Sequence, residues 1–166
     1  MPTSDPYFKL RPLHPTAAED VCDCPHTPPI KLMTALTSHP LHCIDCNREV
    51  APEMLKLSAQ LIEHIAAWHS VADALYRLWL DSGEYAAWAA AQLTDITSAV
   101  NTRGLELQRQ LDPIRRCYLW YFQDQSVEQF VPITACPRCR QPLSAYSQGI
   151  FAQLLCEPCH IIMAGA

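Results

Sequence analysis

The chain has no apolar run approaching the roughly 18–20 residues that span a bilayer, so no membrane-spanning helix is expected. It also lacks a basic block. Lys and Arg fall four each in residues 1–50, 51–111 and 112–166, against six, seven and four acidic residues, under a formal net charge of −5. Non-specific binding to a phosphate backbone needs several clustered cations, so that spread argues against a generic nucleic-acid surface. The first residues, Met1 to Pro15, are polar and Pro-rich and show no apolar block after a basic start. No secretory signal is therefore expected, and a cytoplasmic location with reduced thiols is.

Catalytic signatures are missing as well. HExxH does not occur, and its HxxEH relative fails because Gln60 stands ahead of Glu63-His64. The zinc deaminase pattern requires a proline before its CxxC, whereas Ala135 and Leu155 precede the two C-terminal pairs. There is no G-x-S-x-G and no phosphate loop. His64 and His69, five apart, do not share a helix face. No catalytic residue is assigned, and an enzyme is not expected. Internal repeats beyond the cysteine pairs and low-complexity tracts are also absent.

What is present begins with composition. Hydrophobic content of 49% and charged content of 17% over 166 residues describe a folded protein with one modest core, or a helical centre with small satellite units. Eight of its nine cysteines form close pairs: Cys22 and Cys24, Cys43 and Cys46, Cys136 and Cys139, Cys156 and Cys159. Paired thiols under reducing conditions indicate metal more than disulfides. The ninth, Cys117, reads as a small buried hydrophobe.

Three stretches follow. Residues 1–50 are Pro-rich and irregular, with a strand pattern at Ile30–Leu36. Residues 51–116 carry helical periodicity: Met54, Leu57, Leu61, Ile65, Trp68, Ala72, Leu75 and Trp79 form one stripe. Asp81-Ser82-Gly83 breaks it, with Asp81 or Ser82 available to cap the next helix. A second helix from about Glu84 to Leu111 follows, with Tyr85, Ala89, Leu93, Ile96, Val100, Leu107 and Leu111 on its stripe. Gly104 falls there too, which suggests close approach of a facing helix. Asp112-Pro113 ends the pattern. Residues 117–166 open with the aromatic run Cys117–Phe122, read as a buried strand with a helix as the alternative. The expected fold class is α+β: a central antiparallel helical hairpin flanked by a small N-terminal β unit and a C-terminal ribbon.

The ribbon comes from Cys136-Pro-Arg-Cys139 and Cys156-Glu-Pro-Cys159, whose spacing fits the C-x2-C-x15–20-C-x2-C zinc template. Two intervening residues let one tight turn present both sulfurs to a tetrahedral ion about 2.3 Å away. Proline stiffens each turn, and Ser147-Gln148-Gly149 can close a hairpin between the pairs. Four thiolates leave no open coordination position, which marks a structural site. Cys22-Asp-Cys24 with Cys43-Ile-Asp-Cys46 is a second candidate quartet, because a CxC in a strand puts both sulfurs on one side. His26, His39 and His42 are competing ligands there. Two zinc ions are thus expected.

The run Cys22-x-Cys24 with Pro40-Leu41-His42-Cys43-Ile44-Asp45-Cys46 resembles a bacterial family. So do Ala67-Trp68, Gly83-Glu84, Gln92-Leu93, Gly104 and Tyr118–Tyr121 ahead of the ribbon. That family is described as zinc-ribbon-containing, of unknown function, with nucleic-acid binding suggested. The resemblance covers about residues 20–162 and implies zinc at both quartets. The chain departs from the usual ribbon at Arg140, where glycine commonly follows the knuckle, and at His160.

The charge favours a zinc-stabilised protein-interaction or regulatory module, inhibitor-like or immunity-like in its simplest form, with a protein partner. Trp68, Trp79 and Trp88 are read either as hairpin core or as interface residues. The alternative is a nucleic-acid-binding ribbon, in which Arg115, Arg116, Arg138 and Arg140 contact phosphates.

Overall fold

The structure, a computed structural model, describes residues 5–12, 14–34 and 39–165. It is a mixed α+β fold built on one six-stranded sheet. The strands are β1 (Ile30–Leu32), β2 (Leu41–Cys43), β3 (Cys117–Trp120), β4 (Ser144–Tyr146), β5 (Gln153–Cys156) and β6 (Ile161–Ala164). Their order is β2-β1-β3-β6-β5-β4. β1 and β3 pair in parallel, as do β3 and β6, while the remaining neighbours are antiparallel.

Parallel pairing demands a long crossover, and between β2 and β3 the chain supplies it as helices. These are α1 (Ala59–Asp81), α2 (Ala86–Thr94) and α3 (Ala99–Leu111). No helix among the described residues is long and apolar enough to cross a membrane. Alternation along each strand sorts side chains between the two faces. Ile30, Leu32, Leu41, Cys117, Leu119, Ile161 and Met163 join the main core with Leu61, Ile65, Trp68, Leu107 and Leu111 of the helices. Tyr118, Leu155 and Ile162 face the other way and form a smaller cluster with Ile44, against which Trp120 and Tyr146 pack.

Several details depart from the sequence expectations. The second helix, expected from Glu84 to Leu111, is two helices. Between them the Asp95 carboxylate accepts from the Thr97 amide at 2.8 Å, and Ser98 accepts from the Asn101 amide at 3.4 Å to cap α3. A local turn and a new N-cap satisfy those backbone groups as well as continued helix would. Tyr85, placed on the apolar stripe, is exposed. So is Met54, which lies in a short 3-10 turn, Pro52–Leu55, before α1. Ser82 caps the end of α1, donating to the Leu78 carbonyl, and caps nothing after it. The strand expected at Ile30–Leu36 is confined to Ile30–Leu32 among the described residues; residues 35–38 lie outside them. The aromatic run is a strand, with Tyr121 and Phe122 beyond its end.

Gly104 is approached as expected, though by more than a helix. A Cβ there would lie 2.8 Å from Leu119 Cδ1 of β3 and 3.1 Å from Trp68 Nε1 of α1. The Trp68 indole N–H donates to the Val100 carbonyl at 2.9 Å, which ties α1 to α3. The three tryptophans thus divide: Trp68 is core, Trp79 packs edge-on against Tyr76 and Phe122, and Trp88 is exposed.

Candidate metal centres

Eight cysteines gather into two groups. Cys22, Cys24, Cys43 and Cys46 form one, and Cys136, Cys139, Cys156 and Cys159 the other, with all sulfurs of a group within 4.8 Å of one another. No disulfide forms, and Cys117 belongs to neither group. Complete burial pushes the Cys117 thiol well above its ordinary range, as suits a packing residue.

Each CxxC closes a tight turn. The amide of the residue after the second cysteine reaches back: Asn47 to the Cys43 carbonyl at 3.0 Å and Arg140 to the Cys136 carbonyl at 3.0 Å. His160, after the third pair, donates its amide to the Glu157 carbonyl at 3.3 Å. All three residues are left-handed, with φ of 60°, 64° and 52°. That conformation curls the chain so that both sulfurs point inward, and Arg140 and His160 adopt it without glycine. In the second turn the Arg138 amide donates to Cys136 Sγ at 3.4 Å.

The Cys22-Asp-Cys24 segment reaches its quartet by stitching, since it is not a strand. Cys22 donates its amide to the Glu49 carbonyl at 2.7 Å, and Glu49 donates to the Asp20 carbonyl at 2.9 Å. This sets the segment beside the chain leaving the first CxxC. The intervening β1 and β2 are the hairpin that the eighteen-residue spacer suggested. In the C-terminal unit, β4 and β5 are the hairpin joining the two CxxC turns, with residues 147–152 as its loop.

The histidines are occupied elsewhere. His26 Nε2 lies 2.8 Å from the Asp45 carboxylate. His42 directs its two ring nitrogens at the carbonyls of Asn47 and His39, and the Leu41 amide donates to His39 Nδ1. None of the three belongs to the quartet.

The donor sets suit a tetrahedral thiophilic dication. Cys139 Sγ and Cys156 Sγ are 3.5 Å apart, close to the roughly 3.8 Å edge of a tetrahedron with 2.3 Å bonds. The Gln141 amide draws the Cys139 thiol down to about 7. Burial pushes Cys159 up to about 11 and raises Cys156 and Cys43 further. Four thiols crowded in this way cannot all ionise alone, and a bound dication supplies the missing compensation.

Sequence reading missed the residues that support these turns. Asp45, inside the first CxxC, accepts from the Tyr146 hydroxyl, and its carbonyl accepts from the Ile150 amide at 2.9 Å. Gln153 Nε2 donates to the Ile44 carbonyl at 2.9 Å, while its Oε1 accepts from Lys31 Nζ at 3.1 Å. In the third turn, Glu157 accepts from the Tyr118 hydroxyl at 2.7 Å and pairs with Arg116. His160 meets Gln108 at 2.8 Å and Asp112 at 3.1 Å. These partners lie 39 to 122 residues away along the chain in the closest and farthest cases, Tyr118–Glu157 and Lys31–Gln153, so no local motif marks them. Of the four C-terminal arginines, Arg116 is thus engaged and Arg115 donates to the Pro28 carbonyl, whereas Arg138 and Arg140 are exposed.

Compared with known proteins, the chain matches no family model, no curated protein and no solved structure.

Proposed function

We propose that the chain is a non-enzymatic protein-interaction or regulatory module whose fold is held by two zinc ions. One observation carries this reading: all eight paired cysteines are used up in two closed sets of four sulfurs. A closed set has no position for substrate or activated water, so its metal does structural work. Zinc is the ion that suits four thiolates in a reduced compartment, and the cytoplasm is the location that fits.

Electrostatics support a protein partner over nucleic acid. Each four-thiolate zinc site changes the charge by −2, two positive charges against four thiolates, which takes the formal −5 to −9. Arg115 and Arg116, the latter exposed, are held in contacts within the fold, which leaves Arg138 and Arg140 as the ribbon cations without such a side-chain contact among the described residues. Two cations are too few to hold a duplex at physiological salt.

Elemental analysis of protein purified without added metal is expected to give two zinc ions per chain; a value near one removes the N-terminal site and near zero removes both. Titration of a random duplex at about 150 mM salt is expected to show no binding. Micromolar binding lost on Arg138→Ala with Arg140→Ala would establish the nucleic-acid reading instead.

A further inference from the structure

The end of α1, the first part of α2 and the segment after β3 enclose a groove of about 390 Å³. Trp79, Leu80, Ala86, Ala87 and Ala90 make its apolar walls, and Asp124 stands at one side. A second hollow of about 200 Å³ lies across Trp79 and Phe122, whose rings meet edge-on at 4.9 Å. Leu80, Tyr85 and Trp88 are 46%, 56% and 54% exposed. α2 carries no charged side chain, although much of it faces solvent. A helix left so apolar outside is unusual unless something covers it.

The chain stretches that build this groove carry charge of one sign. No Lys or Arg occurs between Arg77 and Arg103, or between Arg116 and Arg138. All seven residues lining the larger groove come from those two stretches, which carry Asp81, Glu84, Asp95, Asp124 and Glu128. Of the cations that end these stretches, Arg77 bonds Asp73 at 2.7 Å, Arg103 bonds Glu106 at 2.8 Å and Arg116 pairs with Glu157, while Arg138 is exposed.

We propose that this groove docks an amphipathic helical segment of a partner protein that carries Lys or Arg beside its apolar face. The inference rests on the interaction-module reading and gives it a place and a partner chemistry. The alanines of α2 let another backbone come close, and Trp79 and Leu80 offer the aromatic and aliphatic area that anchors such a helix. Asp124 at its side, with the acids of the two stretches that build it, selects for cations and speeds their encounter. A second copy of the chain would bring the same acidic stretches against them, and like charges repel.

The test uses full-length, zinc-loaded protein and three labelled synthetic peptides followed by anisotropy. The first contains only Leu and Lys, with the leucines on one helical face; the second replaces Leu by Gly at equal charge; the third replaces Lys by Glu. The Leu/Lys peptide is expected to bind at least about tenfold tighter than either other peptide. Ala87→Arg, at an exposed groove position, is expected to weaken it about tenfold, as is Asp81→Lys with Glu84→Lys. Gln110→Arg, exposed on α3, is expected to leave it unchanged. Equal binding to wild type and Ala87→Arg overturns the groove while leaving an interaction module that binds elsewhere. No discrimination among the peptides, by protein shown to hold two zinc ions, overturns the groove and the preference for a basic partner together.

Discussion

At the scale of single residues, the three CxxC turns share one requirement and meet it with different side chains. Each needs a left-handed residue after its second cysteine, and Asn47, Arg140 and His160 fill that place. Asn tolerates the conformation, whereas a longer L-residue there costs roughly 1–2 kcal/mol. Arg140→Gly is therefore expected to raise stability by about 0.5–1 kcal/mol in a urea melt of metal-loaded protein, after the entropy cost of glycine. His160→Gly is expected to lower stability by about 1 kcal/mol, because its ring bonds to Gln108 and Asp112 are lost. Gly104 poses the opposite case. Ala is worth about 1 kcal/mol over Gly in a helix, but its Cβ would meet the buried Leu119 and Trp68 side chains. Overpacking of that kind costs about 1–3 kcal/mol. Gly104→Ala is expected to lower the thermal midpoint, and a rise would show that Leu119 gives way freely.

Among the elements, β1 holds the most unusual position. It runs between β2 and β3 with Ile30, Lys31 and Leu32 all buried. Lys31 is 2% exposed, sits 4.5 Å from the Trp120 ring and donates to Gln153. Burial pulls its ammonium down to about 8, while the thiolates of Cys43 and Cys46 oppose that shift. A cation whose folded pKa is depressed destabilises the fold fully below that pKa, and the cost fades as pH rises toward the unfolded value of 10.5. The cost is on the order of 3 kcal/mol at neutral pH. Wild type is thus expected to gain stability relative to Lys31→Met between pH 8 and 10.5, measured by paired denaturant melts. A flat difference across that window would mean that Trp120 and Gln153 compensate the charge in full. The helical stretch teaches a related lesson. Its apolar period passes through residues 84–111, yet Asp95 and Ser98 break it, since turn and cap bonds compete locally with helix.

Across the whole molecule, the two cysteine quartets are tied together although their residues are far apart in sequence. The β4–β5 hairpin of the C-terminal unit covers the first CxxC through Tyr146 to Asp45, Ile150 to the Asp45 carbonyl and Gln153 to the Ile44 carbonyl. Those bonds hold peptide groups that the N-terminal turn needs fixed, and outer contacts of this kind commonly change metal affinity by about 10–100-fold. Gln153→Ala with Tyr146→Phe removes no sulfur, yet is expected to speed thiol labelling of Cys43 and Cys46 about tenfold while Cys136 and Cys139 stay protected. Site-resolved mass spectrometry of the labelled cysteines reads this directly. Unchanged protection at Cys43 would show that the N-terminal quartet stands alone.

The gathering of the sulfurs into two groups of four was legible in residue order, because close spacing of paired cysteines is what a tetrahedral ion requires and survives any packing around it. The α1 helix and the β3 strand were legible for a similar reason, since a long apolar period records which side of an element is buried. Tertiary structure alone decided the rest. Parallel pairing of β1 with β3 and of β3 with β6 joins residues 30–32, 117–120 and 161–164 into one sheet, and strand patterns carry no record of their neighbours. The same holds for the bonds from Gln153 and Tyr146 to the first CxxC, and for the groove beside Trp79. Each depends on residues brought together from distant parts of the chain, where neither spacing nor periodicity can act.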